Sequence, residues 1–121
     1  MGWGIWVTAA VALACCLAGA PAEAHSQKIF SGVAAYYDTH YSGRTAGGER
    51  YDPSKFTAAH RTLPFGTRLR VTDNITHRSV VVTVNDRGPF TKGRVLDLSL
   101  AAAKALHMPG RGIIRVTAAV E

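Results

Sequence analysis

Asn85-Asp86-Arg87-Gly88-Pro89-Phe90, followed two residues later by Gly93-Arg94-Val95-Leu96-Asp97-Leu98-Ser99, is the stretch on which the reading of this chain turns. Each half sets an acid at the edge of an apolar, strand-like run, and a carboxylate so placed can face a cleft. Upstream, Ser79 to Val84 is a β-branched run. It should return antiparallel to Thr67 to Thr72, where Arg68 and Arg70 alternate with Leu69 and Val71 as on a half-buried strand. Asp73-Asn74-Ile75-Thr76-His77-Arg78 between them reads as a turn.

Downstream, Ser99 can cap a helix from Leu100 to His107, whose alanines favour helix and whose end is enforced by Pro109-Gly110. Gly112 to Val120, with Ile113, Ile114 and Val116, closes the sheet. Towards the N-terminus, a short polar leader from His25 to Phe30 precedes a first strand from Gly32 to Tyr37. Asp38 to Lys55 is a loop rich in glycine, tyrosine and charge, and its length is itself a hint of function. Many short strands, with one helix between the last two, predict a mostly β protein built as a small closed barrel rather than a sandwich.

The chain has 121 residues, room for one domain, and residues 1–24 are expected to stand apart from it. Ile5 to Ala20 is apolar or small and uncharged, suited to the core of a secretory signal, and Ala22-Glu23-Ala24 offers a small-x-small cleavage site before His25. The domain is therefore expected to span residues 25–121 in an exported protein of the periplasm or cell envelope. Both cysteines, Cys15 and Cys16, lie in the leader. The barrel is then expected to fold without a disulfide, as a monomer. Leu13-Ala14-Cys15-Cys16 partly matches a lipobox, so a lipid-anchored form is the alternative, and a membrane enters the reading only through this segment.

The formal net charge is +6, and loss of Glu23 with the leader raises it by one. Such a domain is drawn to anionic polymers. Its basic residues are scattered singly, from Arg44 through Arg61, Arg70 and Arg87 to Arg94, rather than gathered into a run or along a helix. That spacing argues against nucleic acid and for the anionic surfaces of the envelope.

Thr57-Ala58-Ala59-His60-Arg61-Thr62-Leu63-Pro64-Phe65-Gly66-Thr67, together with the two acid-bearing segments in this order, resembles the barrel domain of the rare lipoprotein A family. The resemblance runs from roughly Ser31 to Val120. It implies a six-stranded double-psi β-barrel with one short helix, shared with expansins and certain endoglucanases. It also implies an endolytic lytic transglycosylase that cuts peptidoglycan glycan strands, peptide-poor ones above all, during wall remodelling and daughter-cell separation. In that reaction the muramic acid 6-hydroxyl attacks its own anomeric carbon and leaves a 1,6-anhydro end, so one carboxyl can donate a proton and then accept one. No cofactor is implied. The alternative is a non-catalytic, expansin-like module that binds the wall.

The candidate catalytic residues are Asp86, Glu49, His60 and Asp97. Asp86 ends its apolar run and is followed by Arg87, which should bring a guanidinium close, and by Gly88-Pro89, which fixes a turn; pairing with Arg87 or capping of that turn is the bland alternative. Glu49 closes Gly43-Arg44-Thr45-Ala46-Gly47-Gly48-Glu49, similar to the family's Gly-Arg-x-Thr-Ala-x-Gly-Glu but one residue shorter before Thr45, and its glycines would let backbone approach a bound polymer. His60, matching the family's Thr-Ala-Ala-His, could orient a carboxylate or bind sugar hydroxyls. Asp97 is the rival acid by analogy with the expansins, and its bland role is to satisfy free N–H groups at the helix start. Tyr37, Arg44, Arg87 and Phe90 are the substrate-binding candidates. The histidines lack ligand spacing, so no metal is expected.

Overall fold

The computed structural model describes residues 28–121, so the expected leader at residues 1–24, with Cys15 and Cys16 and the expected cleavage site, lies outside the described residues. Six strands close into a barrel: β1 (Ile29–Tyr36), β2 (Thr57–Ala59), β3 (Arg68–Asp73), β4 (Ser79–Asp86), β5 (Arg94–Leu98) and β6 (Ile114–Val120). One helix, α1 (Leu100–Ala105), lies between β5 and β6. Around the barrel the order is β1-β5-β2-β4-β3-β6. The pairs β1–β5 and β2–β4 are parallel and the other four are antiparallel. This is the double-psi arrangement that the resemblance implied.

Alternation along the strands fills the inside. Leu69 and Val71 of β3, Val82 and Val84 of β4, Leu96 and Leu98 of β5, and Val116 and Ala118 of β6 are all fully buried. Ala102, Ala103, Leu106 and Met108 from the helical segment complete the same core. The arginines Arg68 and Arg70 alternate outward from β3. Such burial of apolar surface carries the domain's stability, at about 25 cal/mol per Å² removed from water.

Several boundaries differ from the sequence-based expectation, among them the end of β4, which runs on to Asp86 rather than stopping at Val84. β1 starts at Ile29 rather than Gly32, because Ile29, Phe30 and Ser31 pair with Ala119, Ala118 and Thr117 of β6. The helix stops at Ala105, two residues before His107, which takes a positive φ of 56° in the turn that follows. β2 is a strand of three residues inside the Thr57–Thr67 segment, a length too short to display any period. The turn at residues 73–78 and the Ser99 cap are as expected: Ser99 Oγ accepts from Ala102 N at 3.3 Å.

The short strand β2 positions the site. Ala58 is level with Val84 of β4 and with Leu98 of β5, all three facing the core. One step further the register with β4 shifts, skipping Asn85, so that Ala59 stands opposite Asp86 on one side and Asp97 on the other. A bulge of this kind re-aims a side chain at the end of a strand. Ala35 of β1 continues the row beyond Asp97. Asp86 and Asp97 therefore stand two strand spacings apart, roughly 10 Å between backbones, with an alanine between them.

Candidate active site

Asp86 is half-buried and held by three donors. Its Oδ1 accepts from the backbone N–H of Ala46 at 2.7 Å and of Arg87 at 2.9 Å. Its Oδ2 accepts from the hydroxyl of Tyr37. Among the described residues no cation pairs with it. The guanidinium of Arg87, expected beside this carboxylate, turns away instead: Nη1 donates to the carbonyls of His60 at 3.1 Å and Leu63 at 2.8 Å, and the group lies 4.0 Å over the ring of Phe65. The residue after Asp86 thus ties down the loop from His60 to Phe65, and its backbone N–H alone serves the acid.

Ala46 reaches Asp86 because residues 43–51 fold back on themselves. Tyr51 N donates to Gly43 O at 2.7 Å, Thr45 N to Glu49 O at 2.7 Å, and Arg44 Nη1 to Gly48 O at 3.0 Å. Gly47 N then donates to Asn85 O at 3.1 Å, and a Cβ at position 47 would sit 2.8 Å from that oxygen. Only glycine allows the approach. The glycines of this segment serve contact with β4 itself, where the sequence had suggested contact with a bound polymer. Glu49 is exposed, with Oε1 3.7 Å from the place a Gly47 Cβ would take, so it belongs to the rim of the same loop. The next acid, Asp52, is engaged locally: Oδ1 accepts from Ser54 N at 2.9 Å and Ser54 Oγ at 2.7 Å, and these bonds hold its carboxyl below the usual range.

Three tyrosines back the site. Tyr37 stacks on Tyr51 with centroids 4.5 Å apart and planes 7° from parallel, while Tyr41 meets both rings edge-on at 5.2 and 5.4 Å. Tyr51 is buried, and its hydroxyl accepts from the N–H of Leu100, the first residue of α1, at 3.0 Å. Burial raises the pKa of both Tyr37 and Tyr51 and so suppresses their ionisation; for Tyr37 the hydrogen bond to Asp86 and the charges of Asp86 and Asp97 push it further the same way. Sequence reading missed Tyr51, which follows an exposed Glu-Arg pair and has no periodic partner to mark it as buried.

His60 touches the site through its backbone. Its N–H donates to Asp86 O at 3.1 Å, fixing the end of β2 to the end of β4. Its ring packs against Phe30 at 5.1 Å, and Nδ1 accepts from Thr62 N and Leu63 N, both at 3.1 Å. An imidazole accepting at Nδ1 carries its proton on Nε2. Burial holds it below the ordinary pKa, and Arg61, Arg87 and Lys28 add to the effect. The ring also lines a cavity of about 260 Å³ with Lys28, Ile29, Phe30, Thr62 and Leu63.

Asp97 accepts from Arg94 Nη2 at 2.8 Å and takes no part in capping the helix. Ser99 does that, and its Oγ also accepts from Thr57 N at 3.2 Å. The helix-start role considered for Asp97 is thus filled by its neighbour but one. Phe90, beyond the buried Gly88 and Pro89, is 79% exposed, and Phe65 is 44% exposed. Of the residues singled out from sequence, the fold brings Asp86, Tyr37 and the backbones of His60 and Arg87 into direct contact. Arg44 and Glu49 stand on the loop whose Ala46 closes over Asp86, and Asp97 stands across Ala59.

A double-psi barrel with a carboxylate at a strand end, beneath a folded loop, defines the class. The sequence profile of the lytic transglycolase family matches residues 29–118, and the chain belongs to that family. Among curated relatives, a protein of Nostoc sp. (strain PCC 7120) named a probable endolytic peptidoglycan transglycosylase RlpA is 57% identical over 90 residues, covering 72% of this chain and 24% of that protein. A protein of Pseudomonas aeruginosa (strain UCBPP-PA14) named an endolytic peptidoglycan transglycosylase RlpA is 51% identical over 86 residues, covering 70% of this chain and 25% of that one. The chain spans about a quarter of the length of these relatives. Among solved structures it resembles the Streptomyces papain inhibitor, with a TM-score of 0.62 and 26% identity over 78% of this chain and 96% of that one. An expansin of Clavibacter michiganensis has the same fold, with a TM-score of 0.59 and 24% identity over 78% of this chain and 50% of that one.

Proposed function

We propose that this domain cleaves peptidoglycan glycan strands endolytically as a lytic transglycosylase in the cell envelope, leaving 1,6-anhydromuramic acid ends. The observation that carries the reading is the setting of Asp86: a half-buried carboxylate at a strand end, held by two backbone amides and a tyrosine hydroxyl, with no cation on it among the described residues. The names of the relatives supply the substrate class. Export through residues 1–24, with lipid attachment at Cys15 or Cys16 as the alternative, belongs to the same proposal, as does a monomeric state. Among the described residues no helix is long and apolar enough to cross a membrane.

Asp86 serves as acid and then base. Oδ1 is pinned by amides that cannot move away, so Oδ2, which faces a side-chain hydroxyl, is the oxygen that exchanges protons. In its protonated form it gives the proton to the glycosidic oxygen as the bond from that oxygen to the anomeric carbon breaks. The substrate's 6-hydroxyl oxygen bonds to the same carbon, and its proton returns to Oδ2. One C–O bond is broken and one formed, no water is consumed, and the carboxyl is restored. Glu49 and Arg44 on the loop above support the glycan. Phe90 offers a free ring face for a sugar, Arg87 and His60 hold the loop at residues 60–65, and Asp97 is the alternate acid.

The test is direct. The purified protein is incubated with peptide-free glycan strands, and mass spectrometry reads the new ends. Anhydro ends are expected, and they should vanish with Asp86→Asn, a loss of at least about 10³-fold, while binding and unfolding stay close to wild type. Reducing ends would make the protein a hydrolase. Bound but intact strands would make it an expansin-like wall binder. Loss of activity in Asp97→Asn with survival in Asp86→Asn would exchange the two acids.

A further inference from the structure

We infer that Tyr37 is a positioning residue for Asp86, its hydroxyl fixing the one carboxylate oxygen that is free to exchange protons, an assignment that rests on the catalytic reading of Asp86. Sequence had offered Tyr37 as a surface for a sugar ring. The geometry gives it different work, because one face of the ring is covered by Tyr51 and Tyr41 packs against it edge-on.

The phenol is delivered to Asp86 by contacts that leave it little freedom. Its backbone N–H donates to Leu98 O at 3.0 Å, anchoring the end of β1 to the end of β5. Its ring lies on Tyr51, which is itself pinned by burial and by the bond from Leu100 N. The start of α1, Tyr51, Tyr37 and Asp86 thus form one chain of contacts, and the hydroxyl at its end meets Oδ2.

The choice of a phenol matters. Asp97, across Ala59, is met by the guanidinium of Arg94, a partner that brings a full positive charge. Tyr37 brings a directed hydrogen bond and no charge. Burial, the bond to Asp86 and the nearby charges of Asp86 and Asp97 keep its proton in place, so it remains a donor throughout the range in which the domain works. A neutral donor orients the carboxylate while leaving it able to take and release a proton at one oxygen.

A hydrogen bond from a neutral donor favours the ionised carboxylate over the protonated acid. The same bond holds Oδ2 in line, so its removal should slow the chemical step and leave substrate binding in place. The other groups packed around the pair are Tyr41, Tyr51, Asp97 with its partner Arg94, and the flanking His60 and Arg87; a change confined to position 37 leaves all of them in place. Tyr37→Phe keeps the stack and removes only the hydroxyl.

Two measurements on the full chain test this. In the first, with ¹³C-labelled tyrosine, the Tyr37 ring resonance is followed by NMR through acid pH in wild type and Asp86→Asn. A titration present in wild type and absent in the variant is expected; no titration in wild type, or the same one in both, overturns the contact whatever the activity. In the second, anhydro-end formation is followed against glycan concentration for wild type and Tyr37→Phe, to separate kcat from KM. The variant should lose about 10- to 100-fold in kcat with little change in KM. An active wild type whose Tyr37→Phe variant keeps its kcat, or loses activity through KM alone, overturns the positioning role alone. A wild type that makes no anhydro ends overturns the catalytic reading, and the positioning role with it.

Discussion

Two aspartates end neighbouring strands of this barrel and are held in different ways. Asp73 closes β3 and is fully buried; Arg111 donates to it at 2.7 Å, and the amides of Ile75 and Thr76 donate as well. Burial opposes its charge, but the amides and the guanidinium together hold the carboxyl below its usual range. Asp86 closes β4 and keeps the amides, replaces the guanidinium with a phenol, and is half-buried. A carboxylate saturated by a cation is fixed in one protonation state and joins two loops. One held by neutral donors keeps its geometry without an ion pair, and in the proposed reaction it is the one that exchanges a proton. Asp97, with a cation but in a half-open setting, falls between them.

The sharpest way to break this contrast is to neutralise each acid in turn. Asp73→Asn leaves Arg111 facing an amide inside the protein, and breaking a buried pair in this way costs about 3–5 kcal/mol when both partners are enclosed. Arg111 keeps some exposure, so the expected loss is nearer about 2–3 kcal/mol, read from urea unfolding, with activity per folded molecule retained. Asp86→Asn should show the reverse, near-native unfolding with the activity gone. If both lost stability alike, the two strand ends would be equivalent and the availability of Asp86 would have no basis.

A smaller effect separates Asp97 from its neighbour Ser99. Sequence suggested that an aspartate just before Ser99 could satisfy the helix start, but Ser99 Oγ accepts from both Ala102 N and Thr57 N. Ser99→Ala should therefore lose about 1–2 kcal/mol, the upper part of the range for a cap, since it also leaves a β2 amide without its partner. Asp97→Asn gives up a part-exposed pair with Arg94 and should lose under about 1 kcal/mol. Thermal unfolding of the two variants side by side decides the order. A reversal would give Asp97 the structural role after all.

These residues also mark what could be read in advance. The strand-end acids, the outward arginines of β3, the turn after Asp73 and the Ser99 cap were legible, because each depends on local chemistry or a short period. The strand order came with the family resemblance, since no local pattern encodes which strands neighbour one another in a closed barrel. β2 was hidden by its three-residue length, although its register sets Asp86 and Asp97 on either side of Ala59. The direction of Arg87 was hidden as well: adjacency in sequence suggested a charge beside Asp86, whereas the carbonyls of His60 and Leu63 and the ring of Phe65 take the guanidinium. Partners distant in sequence, such as Tyr37 and Asp86 or Tyr51 and Leu100, are products of tertiary packing.

The smallest predicted effect is confined to acid pH and compares the two ends of the barrel once more. His60 is held neutral at the Asp86 end, with Nδ1 accepting two amides and its pKa lowered first by burial and then by Arg61, Arg87 and Lys28. Below the ordinary imidazole value of about 6.5 the unfolded chain takes up a proton that the folded protein resists. The unfolded state then binds more protons, so stability falls as pH drops through that region. At the other end the lowered Asp73 carboxyl keeps its contribution until pH falls below the ordinary aspartate value of about 3.9, so the two losses occupy separate windows. His60→Asn places an amide oxygen close to the position of Nδ1, an acceptor at every pH. Urea midpoints measured from pH 8 to pH 4.5 should nearly coincide for wild type and variant at the alkaline end and diverge below about 6.5, with wild type declining more steeply. Parallel curves would mean that His60 does not titrate against the fold, and that the Asp86 end is no more sensitive to mild acid than the end closed by Asp73 and Arg111.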